Sequence, residues 1–220
     1  KSDLDHLALT EYGLTRLVVT PADNTVIPPI EAVYESDERL RERCILSFDG
    51  MNTAGSANAY RYFALSADGR VDGIKVYSHI DNPYLLDIII SQIDSQNGEA
   101  TQELLQIVQT ALDPEHVRPV CDRPIVKSSI ASPYSINARL FVGKNAEDSL
   151  LREAANIRLD KYIKNAQKNG ESIYRSAIFA ALHVDGIQRV VITSPVNDLV
   201  MDSYHHPFCI AKTIAIGGVE

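Results

Sequence analysis

This sequence lacks an excess of positive charge. Its 220 residues include 21 lysines and arginines against 29 aspartates and glutamates, which gives a formal net charge of −8 at pH 7. Proteins that bind nucleic acids neutralise phosphates with a basic face. The chain has neither an arginine-rich arm nor a basic stripe interleaved with aromatic residues. We therefore expect no nucleic-acid partner.

Cysteines and long apolar runs are scarce as well. The three cysteines, Cys44, Cys121 and Cys209, are widely spaced and odd in number. This pattern excludes a framework of paired disulfides and is typical of chains that fold in a reducing compartment. No apolar run approaches the roughly 18 residues that span a bilayer, and no basic-then-apolar leader opens the chain. We therefore expect no membrane partner and no secretion through a signal peptide.

What is present is the composition of an ordinary globular protein, with 45% hydrophobic and 23% charged residues. At roughly 100–150 residues per domain, the length fits one large or two small domains. The stretch from Asp113 to Pro124 holds three prolines and little periodicity, which favours a boundary there. The sequence predicts an α+β fold of two small mixed domains, 1–119 and 120–220.

In the first domain, one predicted helix combines apolar and charged periodicity. Ser36 is followed by acids and therefore caps the start of this helix. Leu40, Cys44 and Phe48 recur every four residues and form the expected inner face, with Ile45 beside them. The charged residues are expected on a solvated face: Glu38, Arg39, Arg41, Glu42 and Arg43.

Two strands and a second amphipathic helix are predicted after it. The strands cover residues 71–80 and 84–93. The second strand contains three successive isoleucines, Ile88 to Ile90, which indicates that it is covered on both faces. The helix covers residues 101–112 and turns four apolar residues inward: Leu104, Leu105, Val108 and Leu112.

The second domain is predicted to be a β-β-α-α-β-β sheet that carries its two helices on one face. The strands cover residues 125–130, 134–142, 187–192 and 208–216. In the second of them, polar and apolar residues alternate from Tyr134 to Leu140, which is typical of a sheet with one solvated face. The longer helix runs from a cap at Asn145 to about Asn165. The shorter one begins near Arg175.

The short helix and the strand after it, residues 175–192, form the predicted core connection of this domain. Ile178 and Leu182 are four residues apart and share one helical face. Asp185 and Gly186 then close the helix, because glycine readily takes the positive φ that such an ending needs.

His205, His206 and Cys209 are the best candidates for a metal site, since imidazole and thiolate are natural zinc ligands. No second ligand pair at zinc-finger spacing accompanies them. The alternative interpretation of these residues is a polar turn before the last strand. We therefore assign no metal ligand, and keep as an alternative function a small metal- or ligand-binding enzyme domain that uses these three residues.

Other patterns also fail to indicate catalysis or cofactor binding. Ser176 and His183 share a helical face, but two turns separate their Cα atoms by roughly 10 Å, too far for a nucleophile and its base. No serine lies in a nucleophile elbow. The glycines near Thr53 and at Gly217-Gly218 match no phosphate loop, and Asp81, Asp87 and Asp94 share no calcium loop. We expect no enzyme, no catalytic residues and no cofactor.

Six runs that occur in order along the chain resemble the baseplate J-like proteins of contractile-tailed phages. They are Leu17–Asp23, Glu35–Asp37, Leu65–Val71, Val117–Arg123, Arg175–Val190 and Ile216–Gly218. Together they extend over essentially the whole chain, and residues 80–100 depart most from the pattern. Family members usually carry a further N-terminal segment. Because this chain also opens on Lys1 rather than methionine, we expect that such a segment has been removed.

The resemblance implies a structural role in the wedges of a phage tail baseplate. The implied partners are other baseplate wedge proteins and further copies of this chain. The implied location is the virion tail, with assembly in the cytoplasm of the bacterial host. The family has no catalytic residues to carry over. We also expect the last strand, residues 208–216, to add to the sheet of a neighbouring subunit.

Overall fold

The computed structural model describes residues 3–51, 55–114, 117–143 and 148–219. Helices and strands are mixed along the chain, so the predicted α+β class is confirmed. The chain divides into two compact units, Lys1–Ser129 and Ile130–Glu220. Within the described ranges, every helix is too short or too polar to cross a membrane.

The first unit places two helices against a three-stranded sheet and adds a two-stranded ribbon near its start. Its elements are α1 (Asp3–Tyr12), β1 (Val18–Thr20), β2 (Val33–Tyr34), α2 (Asp37–Gly50), α3 (Ala57–Ala67), β3 (Val71–Ser78), β4 (Leu85–Gln92), α4 (Gln102–Leu112) and β5 (Arg123–Ser128). β1 and β2 pair antiparallel. The sheet order is β3-β4-β5, antiparallel between β3 and β4 and parallel between β4 and β5.

The core of the first unit lies between the sheet and helices α3 and α4. Tyr60 of α3, Val108 of α4 and Ile88 of β4 belong to this one buried cluster. Ile89 is also fully buried, so β4 is covered on both faces, as its three isoleucines predicted. The cap predicted at Ser36 is confirmed too, because Ser36 accepts a hydrogen bond from the Arg39 N–H at 3.3 Å.

The predicted inner face of α2 is confirmed for Leu40 and Cys44, which are buried, and wrong for Phe48 and Ile45, which are 63% and 69% exposed. Arg39 and Arg43, expected in solvent, are buried instead. The helix is rotated relative to the expectation because the two arginines find polar partners inside the unit.

The second unit is a three-stranded sheet with both of its described helices packed on one face. Its elements are β6 (Ile130–Val142), α5 (Asp148–Ala166), α6 (Arg175–Leu182), β7 (Ile187–Ser194) and β8 (His205–Val219). The order is β7-β6-β8, antiparallel between β6 and β7 and parallel between β6 and β8. Asn145, the predicted cap of the longer helix, lies outside the described residues.

Alternate residues of β6 supply the centre of the second core, as their pattern predicted. They are Tyr134, Ile136, Ala138, Leu140 and Val142, and they pack with Leu159 of α5 and with Ile178 and Leu182 of α6. The predicted inner face of α6 is thus confirmed. Gly186 has a φ of 99°, so the glycine after α6 takes the positive φ that the sequence indicated.

The strand predicted to open the second domain belongs to the first unit. β5 pairs with β4 in parallel, from Leu85 opposite Arg123 to Ile90 opposite Ser128. A parallel pair needs a long crossover, and here the crossover contains α4 and the proline-rich stretch. The second unit therefore has the order β-α-α-β-β, and its start at Ile130 differs from the predicted boundary by this one strand.

Candidate functional site

His205, His206 and Cys209 lie at the start of β8 rather than in a turn. His205 and His206 are neighbours in an extended strand, so their side chains point to opposite faces. His205 and Cys209 are four residues apart, which is about 13 Å along a strand. Side chains so arranged cannot share one metal ion, whose bonds to nitrogen and sulfur are about 2.0–2.3 Å long.

Each of the three residues has a local role of its own. The His205 ring lies 2.6 Å from an Asp202 carboxylate oxygen, and this hydrogen bond lowers the pKa of Asp202. His206 is fully buried. Cys209 packs against the core of the second unit, and burial raises the pKa of its thiol. Across the described residues, no group of three His, Cys, Asp or Glu side chains is placed to hold a metal ion.

The other candidate residues named from the sequence lie in different parts of the fold. His183 ends α6, where its backbone N–H donates to the Phe179 carbonyl at 2.9 Å and its ring stacks on the Phe179 ring. Asp87 is buried, forms an ion pair with Lys127 at 2.7 Å and lies 3.1 Å from the His79 Nε2. Gly217 and Gly218 belong to β8, and Thr53 lies outside the described residues.

The most unusual polar feature of the first unit is a buried cluster of Glu35, Arg39 and Arg43, which we call the arginine–glutamate cluster. Glu35 forms a short ion pair with Arg43, and its other oxygen lies 3.6 Å from the Arg39 Nε. The Leu17 N–H also donates to the Glu35 carboxylate at 3.0 Å. Burial lowers the pKa of Arg39, although the charge of Glu35 opposes that shift.

Both arginines also bind backbone carbonyls of neighbouring segments. Arg39 donates to the carbonyls of Leu65 and Asp68 at 2.9 and 2.8 Å, and to that of Gly69. Arg43 donates to the Thr15 carbonyl at 3.2 Å. The cluster therefore joins the end of α3, the turn between α3 and β3, and the segment before β1. The sequence contains a signal for this cluster, because Glu35, Arg39 and Arg43 are spaced four residues apart, as on one helical stripe.

This cluster anchors a projecting segment of residues 18–34, which we call the arm. Its strands β1 and β2 pair at Val18–Tyr34 and Thr20–Val33. Further out, Asp23 and Ile30 exchange two backbone hydrogen bonds of 2.9 Å. At its base, Arg16 donates to the Glu35 carbonyl at 2.7 Å. Almost every residue between Thr20 and Tyr34 is exposed.

A glycine holds the base of the arm against the rest of the unit. A Cβ at Gly69 would lie 2.2 Å from the carbonyl oxygen of Val18. Only glycine permits so close an approach between the turn after α3 and strand β1.

In the second unit, β8 is an edge strand of 15 residues that pairs with β6 alone. Two irregularities interrupt its ladder, one at Ile210 and one at Gly217. Such bulges limit uncontrolled pairing at sheet edges. The segment between them, residues 211–216, keeps a regular register with β6 and is mostly exposed.

Similarity to known proteins extends along the whole chain. Residues 134–215 match the family profile of the Baseplate J-like protein C-terminal domain. Over all 220 residues, the chain is 42% identical to Baseplate protein J of Escherichia phage P2, and it spans 71% of that protein.

The fold is also similar to a chain in the cryo-EM structure of the anti-feeding prophage (AFP) baseplate, which was 6-fold symmetrised. The TM-score is 0.53 at 13% sequence identity, and the match covers 84% of this chain and 46% of that one. At so low an identity, this similarity concerns the fold alone.

Proposed function

Because the chain belongs to the baseplate J-like protein family, we propose that it works as a wedge component of a contractile tail baseplate. Its role is structural, in the baseplate of a phage tail. The observation that carries this function is the 42% identity with Baseplate protein J of phage P2, which extends over every residue of the chain. The metal- or ligand-binding alternative is not supported, since β8 separates the side chains of His205, His206 and Cys209.

A wedge protein acts through its interfaces, and both units supply rigid cores on which such interfaces are built. A baseplate holds one arrangement and then switches when the tail contracts, so its subunits keep their own packing while the contacts between them change. The buried clusters of the two units fit this requirement. The partners in this proposal are other wedge proteins, and assembly takes place in the cytoplasm of the host.

Complementation tests the wedge role. Deleting the gene from the phage or prophage that encodes it is expected to abolish assembled tails, and supplying the chain with the rest of its gene product from a plasmid is expected to restore them. Electron microscopy of induced lysates is the measurement. Normal contractile tails in the deletion strain would contradict the proposal.

One contact of this role is the edge of β8, which we propose accepts a strand from a neighbouring wedge protein. The support is the regular register of residues 211–216 at the outer edge of the sheet. Strand addition protects backbone N–H groups from solvent. Amide hydrogen exchange in this segment is therefore expected to slow when the chain enters a wedge, and unchanged exchange would exclude the contact.

A further inference from the structure

We propose that the tip of the arm in one copy of the chain docks on the outer face of α5 in a second copy. This inference rests on the proposed baseplate role and names one of the partners in it. Two exposed surfaces carry it, one in each unit. They match in apolar character and are opposite in charge.

The arm tip is the first surface. Ile27 is 99% exposed, and Val26 and Ile30 beside it are also exposed. A single exposed apolar residue is ordinary, but a projecting group of them is typical of a protein contact. The arm is also held in place before any partner arrives, by the Asp23–Ile30 bridge and by the arginine–glutamate cluster at its base. Such preorganisation reduces the entropic cost of binding.

The outer face of α5 is the second surface. Leu150, Ala154, Ile157, Lys161 and Lys164 follow one another at spacings of four, three, four and three residues, which places them on one helical stripe. All five are exposed, while the opposite face of α5 packs into the core through Ala155 and Leu159. The helix thus carries a second apolar row that the described residues of the second unit leave exposed.

Charge favours a contact between these two surfaces. The arm from Val18 to Tyr34 contains Asp23 and Glu31 but no lysine or arginine. The outer row of α5 ends in Lys161 and Lys164, and neither forms an ion pair with any described residue. When the apolar tip docks on Leu150, Ala154 and Ile157, the two acidic residues of the arm face these two lysines. Such pairs fix register and orientation more than they add affinity.

The geometry of this contact has a consequence for assembly. Each copy carries both surfaces, so two copies that bind reciprocally form a closed dimer. A head-to-tail series of the same contact closes into a ring or extends as a filament. The expected observation is therefore self-association that increases with concentration.

Charge reversal of the purified full chain tests the contact by sedimentation velocity. We expect the wild-type chain to self-associate, and Glu31→Lys or Lys161→Glu to weaken association about tenfold each. Combining the two substitutions restores the opposite charges and is expected to return association to within about threefold of wild type. Arg41→Glu, on the exposed face of α2, is the matched control and is expected to change nothing.

The remaining outcomes separate this contact from the baseplate role. Equal association of all variants, or no recovery in the double variant, would overturn the contact. The contact would also be overturned if the chain stayed monomeric at every concentration but were found in purified baseplates, because the arm then binds no second copy. Absence of the chain from purified tails would instead contradict the baseplate role itself.

Discussion

The carboxylate of Glu35 and the guanidinium of Arg43 form an ion pair in which the two side chains are 0% and 4% exposed. Removing two charges from water is costly, and the cost is recovered only when the pair and its remaining hydrogen bonds are well arranged. Here the Leu17 N–H and the Thr15 carbonyl supply two of those bonds. The pair therefore fixes where the chain leaves the core of the first unit to form the arm.

Replacing Glu35 by glutamine is expected to destabilise the protein. The substitution removes the carboxylate that faces both buried arginines, and breaking a buried pair in this way costs about 3–5 kcal/mol. Urea unfolding of the whole chain measures the loss. Glu11→Gln, at an exposed position of α1, is the control and should stay within about 0.5 kcal/mol of wild type. A similarly small effect of Glu35→Gln would show that the cluster does not hold this region.

Leu182→Ala tests the core of the second unit. Leu182 is fully buried in the cluster that joins α6 to β6, so removing its side chain leaves a cavity that costs about 2–5 kcal/mol. The control is Phe179→Ala on the same helix, where the aromatic ring is partly exposed and a smaller loss is expected. Unchanged thermal stability of Leu182→Ala would mean that the core has been misplaced.

Gly69→Ala tests the close approach at the base of the arm. A Cβ at this position would collide with the backbone of Val18, and overpacking of this kind costs about 1–3 kcal/mol. Gly143→Ala is the matched control, because its new Cβ would meet only the end of the flexible Gln188 side chain. Equal unfolding midpoints for the two variants would contradict the predicted contact.

Protonation of Asp68 is expected to account for part of the stability that the first unit loses in acid. Burial alone would raise the pKa of its carboxyl, but hydrogen bonds from the Arg70 side chain and backbone N–H outweigh that effect, so the pKa lies below its ordinary value of 3.8. A lowered pKa in the folded state adds stability that is complete above the unfolded value and is lost as the pH falls toward the folded value.

The corresponding measurement is the stability of Asp68→Asn as a function of pH. The variant is expected to be less stable than wild type near neutral pH, and the difference should shrink below about pH 5. Asp185→Asn, in the exposed turn after α6, is the control. A deficit in Asp68→Asn that does not depend on pH would show that the hydrogen bonds, rather than the charge, are what the substitution removes.

Much of the local structure could be predicted because it depends on neighbouring residues. Ser36 caps its helix through the N–H three residues later, and the alternation from Tyr134 to Leu140 reflects one buried face of β6. Both signals are contained in a few consecutive residues.

The failures involve partners that are distant in sequence. β5 was assigned to the wrong domain because its partner, β4, lies across a crossover. The rotation of α2 was missed because Arg39 and Arg43 are satisfied by carbonyls at Leu65 and Thr15. Hydrophobic periodicity predicts that a phenylalanine is buried and an arginine exposed. It carries no information about backbone carbonyls elsewhere in the chain that can accept hydrogen bonds from a buried arginine.

The protein content of purified tails tests the baseplate role itself. Tails released by the phage or prophage that encodes this chain can be disrupted, their baseplates isolated and their proteins measured by quantitative mass spectrometry. We expect peptides from both units of the chain, in fixed stoichiometry with other baseplate proteins. Intact baseplates without these peptides would contradict a role of this chain in the baseplate.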